Sequence, residues 1–127
     1  MAKWCSDTYL DVFLQGIDDS TLLTVCSAQP TTYAEASSTY KLADVVMTAG
    51  SGNGDYTIAN GDTSGRKLTV LQQTNMDIDS SGTATHVALS ISGSSTLVYV
   101  TTCTSQALTA GGTVTVPAWD IEIADPV

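Results

Sequence analysis

Basic residues are scarce in this chain: its 127 residues hold four Lys and Arg against 13 Asp and Glu, a formal net charge of −9. A field of that sign repels phosphate backbones and anionic lipid, so neither nucleic acid nor a membrane surface is expected as a partner. Charge of either sign is sparse, since 13% charged residues is about half the share of an average soluble domain. No run of 18 apolar residues occurs, which excludes a spanning helix by length. The opening Met1 to Trp4 leads to Ser6, Asp7 and Asp11 instead of an apolar stretch with a cleavage site, so the chain is expected to be made in the cytoplasm and to stay soluble. His86 is the only histidine, no G-x-S-x-G is present, and Cys5, Cys26 and Cys103 form no C-x-x-C. An odd, scattered cysteine set reads as reduced, mostly buried thiols, with a bridge between two of them left open.

What the chain has instead is hydroxyl: Ser and Thr make up more than a quarter of it, beside a normal 43% hydrophobic content. The length suits one domain, 1–127, around one core. Near the start, Trp4, Cys5, Tyr9, Leu10, Phe13, Leu14 and Ile17 recur at steps of three and four, with Ser6 or Asp7 as cap and Gly16 placed to stop the helix. This predicts one amphipathic helix over 6–15. Its Tyr9, Leu10, Phe13 and Leu14 face is expected to pack on the β domain or on a neighbouring subunit, because so short a helix is marginal alone. If the ring is buried, Phe13→Ala should cost roughly 3 to 5 kcal/mol.

The apolar run 22–28, closed by Pro30, reads as a buried strand. Thr31 or Thr32 with Glu35 suggests a capped helical turn over 33–36. After residue 40 the period becomes two, and turn clusters at 50–55, 60–65, 80–82, 92–95 and 110–112 divide strands near 41–48, 56–59, 66–72, 83–91, 97–104 and 113–123. Such spacing predicts a mainly β fold, an antiparallel sandwich or barrel with one short N-terminal helix. Parity places His86 on the less buried face of its strand. In the last strand Val114 and Val116 are even whereas Trp119, Ile121 and Ile123 are odd, so Pro117-Ala118 should mark a bulge or a change of sheet, with Asp120 and Glu122 facing water.

The motifs that could carry chemistry are incomplete. His86 lacks a nucleophile motif beside it. Cys5, Cys26, Cys103 and His86 match a zinc set by count, but structural zinc sites bring ligands in close pairs and these are spread along the chain. Asn60-Gly61-Asp62-Thr63-Ser64-Gly65 and Asp77-Ile78-Asp79-Ser80-Ser81-Gly82 both open like calcium loops, yet the twelfth position is Leu71 in one and Ala88 in the other, so both read first as hairpin turns. Asp77 with Asp79, and Asp120 with Glu122, are carboxylate pairs without the aromatic platform of a sugar site; Trp4 and Trp119 fall in apolar periodicity and read as core or interface residues. The glycine-rich 50–54 has no following Lys or helix and reads as a mobile hairpin tip, not a phosphate cradle. No catalytic, cofactor-binding or metal residue is therefore assigned.

Several stretches carry a resemblance: Lys3-Trp4-Cys5-Ser6-Asp7, Val25-Cys26-Ser27-Ala28-Gln29-Pro30, Gly61-Asp62-Thr63-Ser64-Gly65-Arg66-Lys67, Gly82-Thr83-Ala84-Thr85-His86-Val87-Ala88-Leu89, Leu97-Val98-Tyr99-Val100-Thr101-Thr102, Leu108-Thr109-Ala110-Gly111-Gly112-Thr113 and Pro117-Ala118-Trp119-Asp120-Ile121. Across nearly the whole chain the pattern resembles small virion structural proteins of tailed bacteriophages, of the capsid decoration or cement type. That resemblance implies a non-enzymatic protein on the outer capsid surface, a homo-oligomer, specifically a trimer, whose partner is the major capsid protein. Segment 1–5 and the loops 50–55 or 60–65 are the expected shell contacts. The alternative it leaves is a tail, neck or baseplate component that shows loops to the host; a glycan-binding module or hydrolase is the third reading.

Overall fold

The structure is a computed structural model that describes residues 4–125. It is mainly β, with antiparallel sheets and one α-helix near the N-terminus. In chain order the elements are α1 (Asp7–Asp18), β1 (Leu22–Cys26), a π-helical turn (Glu35–Thr39), β2 (Lys41–Val46), β3 (Tyr56–Asn60), β4 (Arg66–Val70), β5 (Gln73–Asp77), β6 (Gly82–Ile91), β7 (Thr96–Leu108), β8 (Thr113–Val116) and β9 (Trp119–Ile123). They form two compact units, one with α1, β3, β4 and β9, the other with β1, β2, β5 to β8 and the π turn.

In the smaller unit the sheet order is β3-β4-β9. Cross-strand partners Tyr56 and Val70, Leu68 and Ile121, Val70 and Trp119 place one apolar face together, while Lys67, Thr69, Asp120 and Glu122 lie on the other. Such alternation is what a half-solvated antiparallel sheet requires. Tyr56, Leu68 and Val70 are fully buried. Helix α1 packs against β3 and β4 and buries Leu10, Leu14 and Ile17. Ser6 is its N-cap, with the Thr8 N–H donating to Ser6 Oγ at 3.2 Å. The expected stop at Gly16 does not occur: the helix continues to Asp18 and closes on Asp19. Burying Ile17 extends the packed stripe by a turn, a gain larger than the roughly 1 kcal/mol cost of a mid-helix glycine.

The larger unit has a four-stranded sheet in the order β2-β1-β6-β7 and a two-stranded sheet of β5 with β8. An isolated antiparallel bridge links Ala43 of β2 to Ile78 just beyond β5. Central strand β1 is buried on both faces: Leu23 and Val25 lie opposite Leu89 and Val87, and Thr24 and Cys26 point the other way. On that second side Cys26, Ala36 and Ala88 form a small core, against which Tyr40, Leu97 and Val100 pack. The capped turn is present: the Glu35 N–H donates to Thr32 Oγ1 at 3.2 Å, and Glu35 Oε1 accepts from the Thr31 N–H at 2.9 Å. It then runs on as the π turn, which the Tyr40 N–H closes onto the Glu35 carbonyl at 2.9 Å.

Two strand assignments need correction. Strand β5 was not expected, because Gln73–Asp77 is polar and broken by a register shift, with Asn75 at φ 56°. It forms because Met76 and Ile78 are buried. The single final strand is two: β8 pairs with β5 and β9 with β4, so Pro117-Ala118 marks the anticipated change of sheet.

Candidate interaction surface

Helix α1 carries two apolar stripes. At about 100° per residue, Leu10, Leu14 and Ile17 fall within one narrow arc and Tyr9, Val12, Phe13 and Gly16 within another. The first stripe is buried. On the second, Tyr9 is 75% exposed, Val12 57% and Phe13 58%, and Trp4, just before the cap, is 82% exposed. A Cβ built on Gly16 would meet nothing within 4 Å, so the surface stays low there. Thus the expected face divides: Leu10 and Leu14 pack inward, whereas Tyr9 and Phe13 are solvated. Trp4, read as core or interface, is not core.

Electrostatics fixes the roll of the helix. The Arg66 guanidinium donates to both Asp11 oxygens, from Nε at 2.7 Å and Nη2 at 3.3 Å, and from Nη1 to Asn60 Oδ1 at 2.8 Å. Hydrogen bonding to Asp11 holds the Arg66 pKa above its ordinary value. A bidentate pair is directional, so it holds α1 with the aromatic stripe outward. The stripe is aromatic and carries no charged side chain, which suits a macromolecular partner better than a small molecule.

The residues singled out for chemistry are not brought together. His86 is half-buried on β6, its Nδ1 2.8 Å from Thr85 Oγ1. All three cysteines are free thiols; Cys26 is buried, and Cys5 and Cys103 are half-buried. Burial pushes the Cys26 and Cys103 thiols up, which favours the unreactive protonated form. Among the described residues no group of three His, Cys, Asp or Glu side chains is placed to hold a metal ion.

Both acidic loops turn their oxygens toward the protein's own cations. Lys67 Nζ lies 2.7 Å from Asp62 and 3.7 Å from Asp120, and Lys41 Nζ lies 3.3 Å from Asp79. Segment 60–65 is the β3–β4 hairpin loop, closed by the Gly61 N–H on the Gly65 carbonyl at 2.9 Å. Gly65 sits at φ 70°, where a Cβ would also collide with the Ile123 carbonyl. Segment 77–82 is not a hairpin turn, since Asp77 ends β5 and the chain passes to β6, which pairs elsewhere.

The loop 50–55 also differs from a hairpin tip, because β2 and β3 do not pair. Side chains brace it: Asp55 Oδ2 accepts from the Thr48 N–H, Asn53 Nδ2 donates to the Ala49 carbonyl at 2.8 Å, and Ser51 Oγ accepts from the Ile58 N–H at 2.9 Å. Both expected contact loops are thus internally tied, and Met1 to Lys3 of the third lie outside the described residues. Asp120 and Glu122 share the outer face of β9, as expected; Asp120 accepts from Thr69 Oγ1 at 2.7 Å.

The stripe went unread in the sequence because periods of three and four admit all of these residues to one face. The usable signal was width: an apolar arc of roughly 200° is too broad for one buried face of a surface helix. Comparison with known proteins finds no matching family model, no curated relative and no similar solved structure.

Proposed function

We propose that the protein is a non-enzymatic structural component of a tailed-phage virion, a decoration protein that binds the outer capsid surface and stabilises it. Its partner in this reading is the major capsid protein, and it acts as a homo-oligomer. The observation that carries the reading furthest is the solvated stripe of Tyr9, Val12 and Phe13 on a helix pinned by an ion pair, with exposed Trp4 just before its cap. Exposed aromatics on a rigid element are suited to anchoring one protein on another, since their burial supplies most of the binding free energy at small entropic cost. The net charge of −9 favours a place away from packaged DNA.

The test is co-sedimentation with expanded empty capsids. Wild-type protein should pellet with them, and Trp4→Ala with Phe13→Ala should weaken binding by at least about tenfold, the value of 1.4 kcal/mol. Capsids lacking the protein should break at lower temperature. If they are equally robust but the particles adsorb poorly to cells, the decoration reading is overturned in favour of a host-facing tail component.

A further inference from the structure

Strand β7 is the longest in the protein and stands at the edge of its sheet, paired on one side with β6. Every residue from Thr96 through Ala107 is at least partly exposed, in contrast to central β1. An edge of this kind presents a row of backbone N–H and C=O groups ready to pair with another strand. Proteins that stay monomeric usually blunt such edges with lysine, proline or brevity. Strand β7 has none of these; its pairing with β6 shifts register twice, between Ala84 and His86 and between Leu89 and Ser90, which leaves Tyr99–Thr102 as its regular middle stretch. From Ser80 to Trp119 the sequence contains no Asp, Glu, Lys or Arg at all.

We infer that β7 pairs with β7 of a second copy, antiparallel across a twofold axis, so that the two four-stranded sheets become one.

Two observations select a second copy. A head-to-tail ring through this sheet needs two open edges, but the opposite edge strand is engaged: β2 bridges through Ala43 to Ile78, and the Leu42 carbonyl accepts from the Asp79 and Ser80 N–H groups at 2.8 and 3.2 Å. Within this sheet only a self-complementary contact remains for the open edge. Charge points the same way. Copies of a chain at −9 repel one another wherever carboxylates face, and β7 is a long strand on which they can meet without that opposition. Its regular stretch Tyr99–Thr102 holds one aromatic and three β-branched side chains, which form stabilising cross-strand pairs between antiparallel neighbours. Pairing that stretch with itself sets Tyr99 opposite Thr102, and Val100 opposite Thr101, of the second copy.

The experiment is analytical ultracentrifugation of the full chain over a concentration series, with Thr102→Lys/Thr104→Lys as the variant. Both positions are exposed, and a lysine on an edge strand opposes pairing with a second strand. Wild type should show twice the 13.2 kDa chain mass and the variant the single mass, with an unchanged circular dichroism spectrum. Thr104→Lys alone serves if the double variant fails to fold. Trp4→Ala/Phe13→Ala should leave the dimer intact, which separates this contact from the α1 surface. A wild-type monomer at every concentration, or a dimer or trimer that the lysines do not disturb, overturns the inference. A monomer whose capsid binding is lost in the lysine variant overturns it too, and assigns the edge to a strand of the shell protein.

Discussion

The two units keep their surfaces in water by different means. Among the described residues the smaller holds nine Asp and Glu with Arg66 and Lys67, and the larger holds four with Lys41. In the smaller unit each cation is clamped between carboxylates and side chains, and the sheet separates an apolar face from a charged one. In the larger unit the surface from β6 onward is hydroxyl. A charged face resists close approach by its own kind, whereas a hydroxyl face does not. The difference teaches where each unit can associate: the smaller through its one uncharged stripe on α1, the larger through the edge of β7.

The largest effect that sharpens the contrast lies within α1 itself. Leu14 is fully buried, so Leu14→Ala should cost about 2 to 5 kcal/mol in urea unfolding, while Phe13→Ala should cost only about 0.5 kcal/mol because most of its ring is already in water. This replaces the larger cost expected for a buried ring. Equal losses would break the comparison and mean that the outer stripe is covered in solution.

Next in size is an opposition between two carboxylates. Burial, reinforced by the neighbouring Asp19 charge and partly offset by a hydrogen bond from the Ser51 backbone, raises the Asp18 pKa. The folded chain then holds a proton at pH values where the unfolded chain has lost it, so this group favours folding below the ordinary aspartate pKa, and that contribution is lost as pH rises through the raised value. Glu35 behaves oppositely: hydrogen bonds from the Thr31 hydroxyl and backbone lower its pKa, so its contribution is present above the ordinary glutamate value and lost as pH falls through the lowered one. Stability measured from pH 3 to 7 should fall less steeply toward neutrality in Asp18→Asn, and less steeply toward acid in Glu35→Gln. Identical slopes in both variants would refute the assignment.

The smallest effect concerns the cap of α1. Ser6→Ala removes the acceptor for the Thr8 N–H and should lower stability by about 1 kcal/mol, read as a small drop in Tm. No change would mean that the ion pair of Arg66 and Asp11 alone holds the helix start.

Much of the fold was legible because side-chain period follows directly from backbone geometry. Alternation marked β6 and β9, the proline placed the change of sheet before Trp119, and Thr32 with Glu35 marked the turn. Strand β5 was not legible, since Asn75 in the left-handed region breaks its alternation. The interaction surface was only half legible: the residues Tyr9 and Phe13 stood out, but their side of the helix did not.

By itself the sequence determined the scarcity of positive charge, the β periodicity and the single N-terminal helix, since these depend on residue type and spacing alone. Only tertiary structure decided which apolar stripe of α1 is buried, which carboxylates hold Arg66, Lys67 and Lys41, and which strand ends as a bare edge. Those outcomes depend on which partners the fold brings together, and local spacing carries no record of partners distant along the chain.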